Sequence, residues 1–406
     1  MPQSSTPLTI LCIASYEKGH DFLRQCKNQG CRVLLLTSLS LRDKNNFPME
    51  AIDEIFYMPD EDKVWNREHT VFAVAHLART TFIDRLVPLD DFDLELAAHL
   101  REHLRIPGMG ETSTRYFRDK LAMRLRAQEK GLTIPEFVPI LNHARVNEFL
   151  DRVPGPWVLK PRLMAGAIGI RKVHDKQQAW DLINALDDQQ SYYLLERFVP
   201  GDIFHVDSIV YENRLVYAVA SAYGRPPLEV SQAGDIFTTR IMKHGTEKEQ
   251  ALRAKNALVL SGLGLVRGVS HTEFIIGHDD GRVYFLETSA RVGGAHIADL
   301  IHAATGVNMW AEWAKVEIAG GKTPYQGPAA EDNYAGLIVS LARQDWPDLS
   351  GYTESEIVWR MNKLHHAGLI VKSPSFDRVA ELMDGYASRF RQDFFASLPP
   401  LSRPTS

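Results

Sequence analysis

Two glutamates lie on either side of a turn in residues 269–291, and their spacing is the strongest chemical signal in the chain. Strands are predicted on both sides of His278-Asp279-Asp280-Gly281. Side chains alternate faces along a strand. Val269, His271, Glu273 and Ile275 therefore share one face, and Val283, Phe285, Glu287 and Ser289 share one face of the second strand. A three-residue loop, 279–281, would pair His278 with Arg282, and counting outward sets Glu273 directly opposite Glu287. Opposed carboxylates destabilise a hairpin by roughly 0.2–1 kcal/mol. A divalent cation between them reverses that sign, and Mg²⁺ typically takes one or two protein carboxylates together with nucleotide phosphates. The competing account is a solvated face with two unrelated glutamates, because the register is inferred.

A second signal lies upstream. Lys160 ends the apolar run Trp157-Val158-Leu159-Lys160-Pro161, just before the small-residue segment Met164-Ala165-Gly166-Ala167-Ile168-Gly169. A point positive charge beside a loop of small residues can meet an anion, because backbone N–H groups can approach it closely. Two phosphate motifs are excluded. Gly321-Lys322-Thr323 mimics the end of a Walker loop, but its first glycine would fall at Val316. The first strand–helix turn, Ala14-Ser15-Tyr16-Glu17-Lys18-Gly19, lacks the G-x-G-x-x-G that a dinucleotide needs, which disfavours an oxidoreductase.

Taken in order, the motifs resemble those of ATP-grasp ligases, in particular the carboxylate–amine ligases of the L-amino-acid ligase and carnosine-synthase-like branch. The likeness rests on His271-Thr272-Glu273-Phe274, on Phe285-Leu286-Glu287-Thr288-Ser289-Ala290-Arg291 followed by Gly293-Gly294, and on upstream segments spanning roughly residues 8–325. It implies that Glu273 and Glu287 ligate Mg²⁺ (or Mn²⁺), that Ser289 occupies a third ligand position commonly held by Asn, and that Arg291 stabilises an acyl-phosphate stage. Lys120, within Arg118-Asp119-Lys120-Leu121, and Lys160 match the ATP-phosphate lysines. Met164, Gly166 and Gly169 belong to a mobile phosphate-covering loop. Glu196, Arg197, Phe198 and Val199 form the hinge that reads adenine, with Glu196 accepting from the exocyclic amine. An acid for the ribose is expected two residues after Gly201, where Ile203 stands; Asp202 is adjacent but would face the other way. The implied activity is ATP-dependent amide formation through an acyl phosphate, from small-molecule carboxylate and amine substrates. The alternatives are an ATP-binding sensor of the same fold that has lost turnover, and a ligase for another carboxylate. Arg225 and Arg240 lie in a loop-rich insert between the hinge and the hairpin, each either a substrate-carboxylate ligand or plain surface.

The elements needed to position these residues are also legible. Strands over 8–14, 32–37, 52–58 and 85–89 alternate with helical patterns, which predicts a parallel sheet. One strong helix is predicted over 113–130, capped by Thr112 or Ser113 and ended by Gly131. Strands follow over 157–161, 192–199 and 204–210, and helices over 177–186 and 247–260. The expected organisation is an α/β N-terminal domain (1–112), a linker helix and central lid lobe (113–190), a C-terminal ATP-grasp α+β lobe with hinge and metal hairpin (191–325), and an extension (326–406) whose Pro- and Ser-rich end is disordered. The net charge of −5 lends no support to nucleic-acid binding. Cys12, Cys26 and Cys31 show neither metal-ligand spacing nor a disulfide framework, which favours a reducing cytoplasm. Residues 1–9 carry no basic leader and 8–14 are too short to span a membrane, so a cytoplasmic protein is expected. A homodimer is left open.

Overall fold

The computed structural model describes residues 7–44, 46–233 and 235–396; the tail expected to be disordered lies outside them. Thr9–Ala14 is buried along its whole length, as a strand covered on both faces must be. It lies between Arg32–Ser38 and Arg85–Pro88, with Glu54–Met58 at the far edge, and all four strands are parallel. This is the sheet that the strand–helix alternation predicts. The three cysteines are buried and form no disulfide.

A small antiparallel sheet follows, in the order Phe137–Pro139, Tyr193–Arg197, Trp157–Pro161, Arg171–Val173. The helices His143–Arg152 and Lys176–Asn184 complete its core through Val146, Phe149 and Ile183. The hinge strand Tyr193–Arg197 thus hydrogen-bonds into this small lobe, although the sequence reading grouped it with the lobe that follows.

The third sheet has eight antiparallel strands, in the order Val283–Ser289, Gly268–Gly277, Gly201–Tyr211, Arg214–Tyr223, Phe237–Ile241, Tyr334–Leu341, His366–Ser373, Ile357–Arg360. Residues beyond 325 therefore continue this sheet instead of forming a separate extension. Alternation along Gly201–Tyr211 sorts its side chains. Phe204, Val206 and Val210 pack under the helix Glu247–Leu263, while Ile209 and Tyr211 join a core shared with the N-terminal domain. In that shared core Phe22 meets Trp313 edge-on, with ring centroids 5.3 Å apart.

Two local expectations are corrected. The hairpin loop has four residues, not three, because Gly277 pairs with Arg282. A bulge between Phe285 and Glu287 restores the register, so Glu273 does face Glu287, while Phe274 pairs with Phe285. The bulge also turns Phe285 to the opposite face from Glu287, where it packs against Phe274 and its N–H bonds to the Thr133 carbonyl.

The predicted helix over 113–130 is likewise two helices, Glu111–Arg115 and Lys120–Glu129. Asp119 forces the break. Its carboxylate accepts from the Leu121 N–H at 2.9 Å, a capping geometry that needs extended backbone at Asp119 itself. Arg162 also binds this carboxylate, at 3.0 Å through Nε. Asp119→Ala is expected to cost about 1–2 kcal/mol in urea melts, whereas Asp119→Asn, which still caps, loses about half of that. Equal losses in the two variants would show that the cap contributes nothing.

Candidate active site

A cavity of about 790 Å³ opens between the small sheet and the large one. One end is an apolar slot. Val158 and Ile170 face it from the small lobe, Ile203, Ile275 and Leu286 from the large sheet, and the chain crosses from one lobe to the other at 198–200. A flat apolar slot edged by backbone suits a heterocycle. Ile203 packs there with Val199, Ile275 and Tyr284. Asp202 also borders the cavity, with its carboxylate 3.0 Å from His278 Nε2.

The other end is ionic. Glu273 and Glu287 are direct cross-strand partners, yet neither is left to repel the other. Lys120 Nζ stands 2.8 Å from Glu287 Oε2. The Tyr223 hydroxyl donates to Glu273 Oε1 at 2.8 Å, and His271 Nε2 lies 3.6 Å from the same oxygen. Burial alone would raise the Glu273 pKa, but His271 and Tyr223 outweigh it and hold the carboxyl below its usual range. Burial would lower His271, but the Asp207 carboxylate prevails and takes it up to about 9. Glu273 Oε2 makes no hydrogen bond or ion pair among the described residues. The donor set is hard oxygen throughout, which fits Mg²⁺ or Mn²⁺.

Lys120 binds three parts of the site together. Its N–H bonds to the Arg162 carbonyl at 3.0 Å, its ammonium donates to the Met164 carbonyl at 2.6 Å, and the same ammonium pairs with Glu287. Lys160 is 2% exposed and paired with Glu196. The other side of Glu196 is taken by Arg124, at 2.9 Å. Burial brings the Lys160 ammonium down to about 8, against the pull of Glu196. The Glu196 carboxylate expected to read an amine is thus occupied by two cations, although Glu196, Arg197, Phe198 and Val199 all line the cavity.

Met164 and Gly166 line the cavity, and Gly169 lies in the same loop. Its backbone enters the left-handed region at Gly166, Ala167 and Gly169. A Cβ on Gly166 would meet nothing within 4 Å, so glycine is needed there for its φ of 66° and not for space.

Several residues went unrecognised in the sequence. Asp91, at the end of the N-terminal sheet, accepts from Ser289 and stands 3.2 Å from Arg118 Nη1 and 4.0 Å from Arg291 Nε. Ser289 at the third ligand position is therefore already engaged. No local pattern announces a contact spanning 198 residues. Arg118 lines the cavity where Arg225 and Arg240 were considered; Arg225 pairs with Asp235, and Arg240 lies over the Phe376 ring. Asp235 also binds Arg391, at 2.8 Å, on the last helix, Phe376–Asp393. This holds the short helix Pro227–Ala233, whose Leu228 and Val230 border the cavity. His205 and Asp207 were legible as polar residues two apart on a strand that also carries buried aliphatics, a signal that went unused.

Two outcomes are expected. Lys160→Ala should bind ATP more weakly in calorimetric titration while remaining folded. Breaking one side of a buried ion pair costs about 3 kcal/mol, and Glu196 keeps Arg124. Wild-type affinity should fall as pH rises through about 8, because the ammonium then loses its proton, and the variant should lack that limb. The 163–170 loop should gain hydrogen-exchange protection when Mg·ATP is added, since ordering its two glycines costs backbone entropy that contacts to an anion would offset. Equal protection with and without nucleotide would contradict a cover.

No family model matches the chain. An L-arginine-specific L-amino acid ligase of Bacillus subtilis is 20% identical over 291 residues, covering 68% of this chain and 70% of that protein. Human carnosine synthase 1 is 25% identical over 355 residues, which is 81% of this chain but 42% of the relative, so the chain spans about two-fifths of its length. Among solved structures, an L-amino acid ligase from Bacillus licheniformis superposes with a TM-score of 0.76 over 98% of this chain and 100% of its own, at 16% identity. Among the described residues no helix is long and apolar enough to cross a membrane. With the lobes, the opposed glutamates and the lysines in this arrangement, the chain has the ATP-grasp fold and is similar to carboxylate–amine ligases that share it.

Proposed function

We propose that the chain joins a small carboxylate, an amino acid in the first instance, to an amine at the expense of ATP. The observation that carries this reading is the pair Glu273 and Glu287 opposed on neighbouring strands, at the ionic end of a cavity whose other end is an apolar slot. The adenine would lie in the slot against the 196–199 backbone. The phosphates would run toward Lys160 and Lys120, beneath the 163–170 loop. Mg²⁺ or Mn²⁺ held by Glu273 and Glu287 would offset the charge of the nucleotide phosphates.

The chemistry runs in two steps. A carboxylate oxygen of the substrate attacks the γ-phosphorus, and the bond to ADP breaks. The amine nitrogen then attacks the acyl carbon, loses a proton, and expels phosphate. The chain's own contribution is position and charge. Arg118 and Arg291 flank the point where the acyl phosphate would form, and the loop excludes water that would hydrolyse it. Leu228, Val230 and Phe237 on the cavity wall give an apolar surface for the substrate side chain.

Glu287→Gln tests the assignment. The change removes the ion pair with Lys120, which keeps the Met164 carbonyl, and also removes the repulsion of Glu273. The two effects oppose each other, so the variant should stay folded with only a small change in melting, while ligation falls by about 10²–10³-fold, the usual loss when one electrostatic stabiliser is removed. With ¹⁸O-labelled carboxylate and paired amino acids, wild type should release ADP and phosphate bearing one ¹⁸O, and added hydroxylamine should trap a hydroxamate. Release of AMP and pyrophosphate, or wild-type turnover by the folded variant, would overturn the reading.

A further inference from the structure

Behind Glu273 the large sheet buries a row of polar side chains that the phosphate and metal chemistry does not itself require. Strand register places His205 opposite Glu273 and Asp207 opposite His271. Because side chains two apart share a face, all four point the same way. Asp207 is 1% exposed, and it holds two histidines: His205 Nδ1 at 2.7 Å and His271 Nδ1 at 2.9 Å. An ionised carboxylate can only accept, so both Nδ1 atoms carry the proton. His205 continues to the Thr239 hydroxyl at 2.8 Å, and His271 Nε2 faces Glu273 Oε1 at 3.6 Å. Tyr223 OH donates to that same oxygen at 2.8 Å and lies 3.4 Å from His271 Nε2.

We propose that Tyr223 and the Asp207–His271 pair are positioning residues for Glu273: they hold its Oε1 so that Oε2 is presented to the divalent cation. The inference rests on Glu273 being a metal ligand. Three features favour it over a buried network that merely stabilises the sheet. Both contacts converge on one oxygen of the carboxylate and leave the other without a hydrogen-bond partner among the described residues. The network reaches the cavity only at this point, since His205 and Asp207 are sealed from it while His271, Tyr223 and Glu273 line it. Finally, the backbone crowds the pair. A Cβ on Gly293 would sit 2.8 Å from Asp207 Oδ1 and 3.1 Å from His271 Nδ1, so Gly293 must lack a side chain for this contact to persist. The His205, Asp207 and His271 ligand atoms lie within 4.8 Å of one another, a spacing that could itself hold an ion. Each nitrogen facing Asp207, however, bears a proton and is already bonded, so the cluster orients rather than ligates. Carboxylates that fix a histidine behind a metal site commonly govern affinity by 10–100-fold.

The test measures Mn²⁺ binding to the full chain with ADP, by the electron-spin resonance signal of free Mn²⁺, for wild type, Glu273→Gln, Asp207→Asn and Tyr223→Phe. Thermal melts without metal run alongside. Asp207→Asn and Tyr223→Phe should each weaken Mn²⁺ binding by about 10-fold or more, with ADP affinity in the absence of metal unchanged. If Asp207→Asn does not fold, Tyr223→Phe, which removes a single hydroxyl, decides. Weakening in Glu273→Gln with none in the folded positioning variants would overturn this inference and leave the metal-site reading standing. Unchanged Mn²⁺ affinity in Glu273→Gln would overturn both.

Discussion

Like charges on neighbouring strands weaken the pairing that brings them together, so the Glu273–Glu287 pair depends on compensation from neighbouring groups that offset its charge. Lys120 supplies it for Glu287, and Tyr223 with His271 supplies it for Glu273. Each compensator carries its own requirements. Lys120 is in place because Asp119 starts a helix one residue earlier and because Arg162, at the mouth of the glycine loop, accepts its N–H. His271 is in place because Asp207 holds it and Gly293 leaves room. Helix start, loop and sheet interior are thereby tied to one pair of carboxylates.

Burying charge is costly, and two further groups in the cavity show what is obtained. Arg124 and Lys160 share Glu196, and Arg118 and Arg291 share Asp91. In each group two cations meet one carboxylate, so one positive charge is left over. Buried pairs contribute little net stability against apolar replacements. A surplus of fixed positive charge in a low-dielectric cavity is, however, what an approaching triphosphate or carboxylate needs, and it requires no reorganisation when the ligand arrives.

Much of this was legible because it is local. The alternation around Glu273 and Glu287 located the pair, and the apolar run before Lys160 located the strand to the residue. The pairing of the two glutamates was reached through a loop one residue too short, with a bulge at 286 cancelling the difference. Bulges answer to packing, here Phe285 against Phe274, and leave no mark in a two-residue period. The helix break at Asp119 was hidden by the good helix formers that follow it, Lys120-Leu121-Ala122-Met123-Arg124. Asp91, and Arg118 with it, was invisible for a different reason: the other partners of Asp91, Ser289 and Arg291, lie about 200 positions along the chain and reach it through a core that the N-terminal domain shares with the large sheet.

The short helix Pro227–Ala233 borders the cavity through Leu228 and Val230, and behind it Asp235 is clasped by Arg225 from its own loop and by Arg391 from the last helix. Nothing in that clasp touches Lys160, Lys120 or the opposed glutamates. On the proposed function, the wall that would face a substrate side chain and the groups that would face phosphate are therefore free to change independently. Lineages sharing the latter can drift in the final helix and its loop, inheriting the same chemistry while changing which molecules it acts upon.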